Sequence, residues 1–149
     1  MSDSPTVPDG FRKLPAKGES FFQVLGDLYG RDQADGTLLL AMRILPQHAN
    51  RLGIPHGGML ATFADGALGI NLNRLRGPEI PIVTVNLSLD YLSSAKVGDW
   101  LEAHVTPRKL GKQLAFGDCV LMVGERAVLR ATGVFSAVAN RKGVDLSDG

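Results

Sequence analysis

Apolar and polar positions change period several times along the chain, and each change predicts an element. The run TLLLAMRIL (37–45), opened by the turn pair Asp35-Gly36, predicts a strand. An irregular loop, PQHANRLGIP, follows it. Next comes HGGMLATFADGALGINLNRL (56–75), of helical length and with few charges before Arg74 apart from Asp65. A helix that is apolar nearly all round is expected to be buried nearly all round. Four strand patterns complete the chain: PIVTVNLSLDYL (81–92), DWLEAHVTPRKL (99–110), KQLAFGDCVLMV (112–123) and RAVLRATGVFSAV (126–138). Gly111 separates the second from the third, and Gly124-Glu125 the third from the fourth, so these strands are expected to follow one another as hairpins. A short helix is expected at SFFQVLG (20–26). Strand, long helix, then four strands, without βαβ alternation, implies an α+β domain in which one curved antiparallel sheet wraps one central helix.

Composition narrows the picture around this core. Residues 1–17 are rich in Pro, Ser, Asp and Lys and are expected to form a loose arm; residues 140–149 read the same way, which leaves 18–139 as one domain. Sixteen basic against fifteen acidic residues give a net charge of +1, no footprint for binding along nucleic acid. No apolar run approaches the roughly 18 residues of a membrane span, and the first residues lack a secretory apolar stretch, so a cytoplasmic protein is expected. Cys119, the single cysteine, lies in an alternating apolar segment and is expected to be a buried structural thiol.

Whole mechanisms are missing. There is no G-x-S-x-G elbow, no phosphate-binding glycine loop and no Cys/His cluster with metal spacing; His48, His56 and His104 are too scattered to suggest a metal site. What remains is Asp65 inside the helix, sharing its face with Ala61, Thr62, Leu68 and Gly69. A carboxylate among apolar neighbours is costly unless hydrogen-bonded, and it is the kind of group that serves as a general base; the alternative is a carboxylate that only caps a backbone group. A second candidate is the helix start, His56-Gly57-Gly58, whose first N-H groups point outward with the positive end of the helix dipole toward a developing oxyanion. Asn50 could aim its amide at the same place. Asp65, however, lies about 12 Å along the helix from Gly57, so one helix cannot bring both to one carbonyl. Two antiparallel copies, packed across a two-fold axis by Thr62, Gly66 and Gly69, could.

The pattern Asn50, Gly53, His56, Gly57, Gly58, then Asp65, then VTVNLSLDYLSSAKVGD (83–99) resembles the hotdog-fold acyl-CoA thioesterases of the phenylacetate-degradation (PaaI-like) type, over about residues 20–138. The resemblance implies a hotdog fold and the hydrolysis of an acyl-CoA to free acid and coenzyme A, with no separate cofactor. By the same likeness, Gly57 N-H and the Asn50 side chain polarise the thioester carbonyl, while Asp65 of the partner subunit activates water or attacks directly. Thr84 then helps to hold the water, and His56 orders the loop carrying Asn50. A homodimer as the minimal active unit, paired into a homotetramer, is also implied. Lys96, Arg108, Lys109 and Lys112 are candidates for the phosphates of coenzyme A, or else a solvated turn. Met59, Phe63 and Leu92, beside Gly58, are candidates for the acyl group, or else core. His48-Ala49 before Asn50, and Ser93-Ser94 where relatives carry Ser-Pro, depart from the pattern and bear on specificity.

Two other functions fit parts of the pattern. A hotdog hydratase or dehydratase would pair His56 with Asp65, at a spacing that disfavours it. A non-catalytic acyl-CoA-binding module would bind the thioester without releasing thiol.

Overall fold

The computed structural model describes residues 6–16 and 18–138, so the expected tail at 140–149 lies outside the described residues. The strands are β1 (Arg12–Lys13), β2 (Tyr29–Asp32), β3 (Leu38–Arg43), β4 (Ile82–Tyr91), β5 (Trp100–Leu110), β6 (Leu114–Val123) and β7 (Arg126–Ala137), with the helix α1 (Gly57–Arg76) between β3 and β4. Short 3₁₀ turns occupy Phe21–Leu25 and Pro46–His48. Both the expected short helix and the expected long one are present.

All seven strands form one sheet in the order β1-β2-β3-β5-β6-β7-β4, antiparallel throughout. The hairpins β5–β6 and β6–β7 are those the glycine breaks predict. β4, instead, crosses to the far edge, where β7 is its sole strand neighbour among the described residues. Two strands escape the sequence pattern. β2 reads YGRD, without apolar alternation, and forms because β3 offers it an edge, Tyr29 opposite Ala41. Arg12 and Lys13, inside the segment read as a loose arm, then pair with Gly30 and Tyr29. The Phe11 ring packs edge-on against Trp100 at 5.3 Å between centroids, tying this part of the arm to the outer face of the sheet.

The sheet must bend to enclose a helix, and bulges at Val85 in β4 and Arg108 in β5 supply local kinks. A pair of glycines lets the layers close. Gly117 in β6 and Gly133 in β7 face each other across the ladder, and a Cβ at either would meet the helix side chains Leu72 or Leu68 at 3.1 or 2.9 Å. Leu68 and Leu72 thus sit in a depression in the sheet. With Phe63, Leu40, Leu101 and Leu121 they are fully buried and form the heart of the core.

One polar residue fixes the helix axially. Asn71 is fully buried, and its Oδ1 accepts Leu38 N-H at 2.7 Å while its Nδ2 donates to the carbonyls of Leu38 and Ala67, each at 3.0 Å. Both ends of the amide are therefore satisfied, as a buried polar group requires. The all-round burial expected of α1 is not what is found. The sheet covers the stripe Leu60, Phe63, Ala64, Ala67, Leu68, Asn71, Leu72, while Asp65 and Gly66 on the opposite side are half-buried and Ile70 is exposed.

Candidate active site

Two polar sites lie at opposite ends of the pair formed by α1 and β4. At the first, Thr84 Oγ donates to Asp65 Oδ1 at 2.8 Å. Thr84 stands opposite the buried Phe135 of β7 and so faces the helix, which is why this hydroxyl and not a neighbour's reaches the carboxylate. Asp65 opens into a cleft of about 480 Å³ lined largely by apolar or small groups, among them Phe21, Phe22, Gly66, Ile82 and Phe135. It is half-buried on a cleft wall; the enclosure expected from the apolar helix is absent because the sheet covers the other face.

The second site is the start of α1. His56 is the N-cap, its Nδ1 accepting Gly58 N-H at 2.8 Å, and Met59 and Leu60 N-H both turn to the His56 carbonyl. Of the first-turn amides only Gly57 N-H has no acceptor among the described residues, which makes it the donor left for a ligand. Gly58, named with it from the sequence, is spent on the cap. Tyr91, at the end of β4, closes this site from the side: its hydroxyl donates to the Gly57 carbonyl at 2.6 Å, and its ring would lie 3.1 to 3.4 Å from any Cβ at position 57. A larger residue at position 57 would press on Tyr91, which would have to give by a few tenths of an ångström.

The loop before the helix is held by its own polar groups. Asn50 Oδ1 accepts Leu52 N-H at 2.8 Å and Ile54 N-H at 3.3 Å, so the acceptor end of the amide folds the loop and the Nδ2 end takes no part in that turn. The His56 ring, expected to order this loop, caps the helix instead; its backbone N-H does the joining, to the His48 carbonyl at 2.8 Å. His48 is buried. Its Nδ1 accepts Leu45 N-H at 2.9 Å and its Nε2 meets the Leu25 carbonyl at 3.0 Å, which requires the neutral ring with the proton on Nε2. Burial pulls its pKa below the ordinary 6.5, and the Leu25 carbonyl pulls the other way by less.

The remaining candidates divide by position. Phe63 is sealed in the core and Met59 is half-buried against it, so both take the core alternative, while Leu92 is about half exposed beyond β4. Arg108 pairs with Asp118 at 2.6 Å on the sheet surface, and Lys96, Lys109 and Lys112 are exposed. His104 pairs with Glu102 on the sheet surface at 3.2 Å. The Cys119 thiol is fully buried and pushed up to about 12 by desolvation, the inert thiol its segment predicts. Gly66, expected to pack against a partner's helix, has a same-chain neighbour in Phe22. A Cβ there would stand 2.0 Å from the Phe22 ring.

Sequence reading missed Tyr91 and Phe22. Tyr91 had a signal, since it continues the inward-facing set of β4 through Leu87 and Leu89; Phe22 had none, because its contact with Gly66 spans 44 residues with no shared period.

The family described as "Thioesterase superfamily" matches residues 52–129. A Pseudomonas aeruginosa protein assigned as an esterase is 43% identical over 87% of this chain and 96% of its own length. Human acyl-coenzyme A thioesterase 13 is 36% identical over 70% of this chain and 74% of its own. Among solved structures, a Bacillus halodurans protein crystallised with CoA superposes with a TM-score of 0.68 at 27% identity, covering 75% of this chain and 74% of that one. The Escherichia coli PaaI protein of the phenylacetic acid degradation operon shares the fold, with a TM-score of 0.63 at 24% identity over 68% of this chain and 72% of its own.

Proposed function

The chain belongs to the thioesterase superfamily and is a hotdog-fold thioester hydrolase; on that premise we propose that it hydrolyses acyl-CoA at sites completed by two subunits, each supplying one of the two halves described above. Asp65 of one subunit takes a proton from water as the water oxygen attacks the thioester carbonyl carbon. Gly57 N-H of the other subunit, with Asn50 Nδ2, holds the oxygen that becomes negative. The C–S bond then breaks and the proton passes to the departing sulfur. Thr84, by donating to one carboxylate oxygen, leaves the second for the water. General-base help is worth about 10² to 10⁴ in rate and a well-aimed oxyanion donor about 10² to 10³.

The observation that carries this reading is the edge of β4 that no strand covers among the described residues. The strand runs ten residues, exposes Val83 and Val85, and carries the Asp65–Thr84 site at one end and the Gly57–Tyr91 site at the other. An unpaired apolar edge is a template for a second strand. Two β4 edges paired antiparallel about Ser88 set Leu87 against the partner's Leu89, inward facing inward. Past the bulge at Val85, Thr84 then comes opposite the partner's Tyr91. That register brings each Asp65 to a partner's Gly57, which no single chain can do. Human acyl-coenzyme A thioesterase 13 supports the acyl-CoA substrate by its name, and the CoA bound to the Bacillus halodurans protein supports coenzyme A as the leaving group. A tetramer of two such dimers, with Lys96, Lys109 and Lys112 toward the phosphates, completes the proposal. A cytoplasmic location belongs to the same proposal. No helix among the described residues is long and apolar enough to cross a membrane.

The test is thiol release from a panel of acyl-CoAs. Asp65→Asn is expected to keep the melting temperature and lose turnover by at least about a hundredfold. When Asp65→Asn and Asn50→Ala chains are unfolded and refolded together, half of the dimers are mixed and each has one intact site, so about a quarter of wild-type activity returns. No recovery on mixing, with both variants folded, removes the shared site; undiminished turnover in Asp65→Asn removes the carboxylate. Consumption of an enoyl-CoA chromophore without thiol release identifies the hydratase instead.

A further inference from the structure

A cavity larger than the one that holds Asp65 lies elsewhere in the described part of the chain. It measures about 610 Å³ and lies under the 3₁₀ turn Phe21–Leu25, between that turn, the end of the arm and α1. Leu14, Pro15, Leu28, Phe22 and Ile70 give it an apolar interior, and the pair Lys13–Asp27, 3.4 Å apart, stands at its rim. The Asp65 cleft and this cavity share two residues, Phe22 and Ile70. Ile70 follows Gly66 by one helical turn, and lies about 7.5 Å beyond Asp65 along the axis. The Phe22 ring rests on the bare backbone of Gly66, where even one methyl carbon would collide with it. It therefore stands as a partition between the two spaces.

Resting on the acyl-CoA reading above, we infer that the cavity under the 3₁₀ turn takes the distal end of long acyl chains, and that Phe22 sets how long a chain the enzyme accepts. An acyl group whose carbonyl lies at Asp65 runs along the uncovered face of α1 over Gly66 and Gly69. A short one ends against the Phe22 ring. A long one turns the ring off Gly66 and enters the cavity beyond. The ring can turn because the 3₁₀ segment is anchored at its other end: Leu25 is buried in the core and its carbonyl is held by His48, while Phe21 and Val24 are exposed. The lining is mainly apolar, which fits an alkyl tail; its polar groups are Ser20, Gln23 and the exposed Lys13–Asp27 pair.

The test compares kcat/KM from hexanoyl- to palmitoyl-CoA in the wild type, Phe22→Ala and Phe22→Trp. Opening the partition is expected to raise the long-to-short ratio at least about tenfold, since a few methylenes in an apolar pocket carry that much, and thickening it to lower the ratio by a similar factor. A ratio within twofold of wild type in both variants, with melting temperatures unchanged, overturns the inference. Should Phe22→Ala unfold, Phe22→Leu carries the same comparison. Calorimetric titration with free fatty acids of the same lengths separates this inference from the proposed reaction. If the wild type hydrolyses none of the panel, a chain-length dependence of fatty-acid affinity that shifts with Phe22 still supports the cavity, and one that does not shift rejects it.

Discussion

The Tyr91 hydroxyl donates a 2.6 Å hydrogen bond to the Gly57 carbonyl, and its ring lies against the same glycine, so the strand at the sheet edge fixes the Gly57–Gly58 peptide plane that follows the Gly57 N-H. Removing the hydroxyl alone leaves the ring in place. Tyr91→Phe is expected to cost about 1 kcal/mol of stability, the net worth of one such bond. Its kcat is expected to fall about tenfold with little change in KM, less than the 10² to 10³ that follows loss of an oxyanion donor outright. Steady-state kinetics on one good acyl-CoA decide it: a rise in KM at constant kcat would make Tyr91 a substrate contact and not an orienting group.

Gly133 sits where the sheet comes closest to the helix, with Leu68 Cδ1 and Phe135 Cε1 each 2.9 Å from the position of a Cβ. Both neighbours are buried, so neither can retreat without disturbing the core. Gly133→Ala is expected to destabilise by about 1 to 3 kcal/mol, the usual penalty for overpacking. Gly124→Ala gives a contrast, since nothing lies within 4 Å there and its cost comes from a φ of +58° alone. Urea unfolding of the two variants separates crowding from backbone strain.

Asn71→Leu keeps the side-chain branching in a larger volume and removes three hydrogen bonds to Leu38 and Ala67. Leu38 N-H and C=O would both be left without these partners beside a buried apolar side chain, and the Ala67 carbonyl has its helical bond in reserve. A loss of about 2 to 4 kcal/mol is expected, larger than for an ordinary surface hydrogen bond because buried groups go unpaired. A variant as stable as wild type would mean that the helix slides and finds other partners.

How much of this was legible beforehand follows from which forces are local. The long helix and the four later strands announce themselves through their period, and the hairpin breaks through Gly111 and Gly124. β2 does not, because YGRD acquires strand geometry only from pairing with β3. Asp65 stood out as a carboxylate in apolar surroundings, and its bond to Thr84 joins two residues named from the sequence. Its degree of burial was misjudged because composition does not reveal which face of a nearly all-apolar helix the sheet will cover. Gly66 marked a close approach, and within the chain the neighbour that makes it is the Phe22 ring, which no local pattern announced.

Protonation of His48 is expected to weaken the fold on mild acidification. The ring is buried, its Nδ1 accepts Leu45 N-H, and its Nε2 proton goes to the Leu25 carbonyl. Adding a second proton turns the acceptor into a donor facing another donor. Its folded pKa is depressed below the ordinary 6.5, so the unfolded chain binds more protons in this range, and stability rises with pH. The contribution is complete above about pH 6.5 and is lost as pH falls through the folded value, with a slope of at most about 1.4 kcal/mol per pH unit from this one group. His48→Gln retains a donor for Leu25 but cannot titrate. It should be less stable than wild type at pH 7.5 and show a flatter dependence between pH 7 and 5, measured by urea midpoints at fixed ionic strength. An unaltered slope in the variant would assign the acid sensitivity to other groups. Because His48 ties the Phe21–Leu25 turn to the start of the Asn50 loop, the same titration is expected to raise KM for long acyl-CoAs before the protein unfolds.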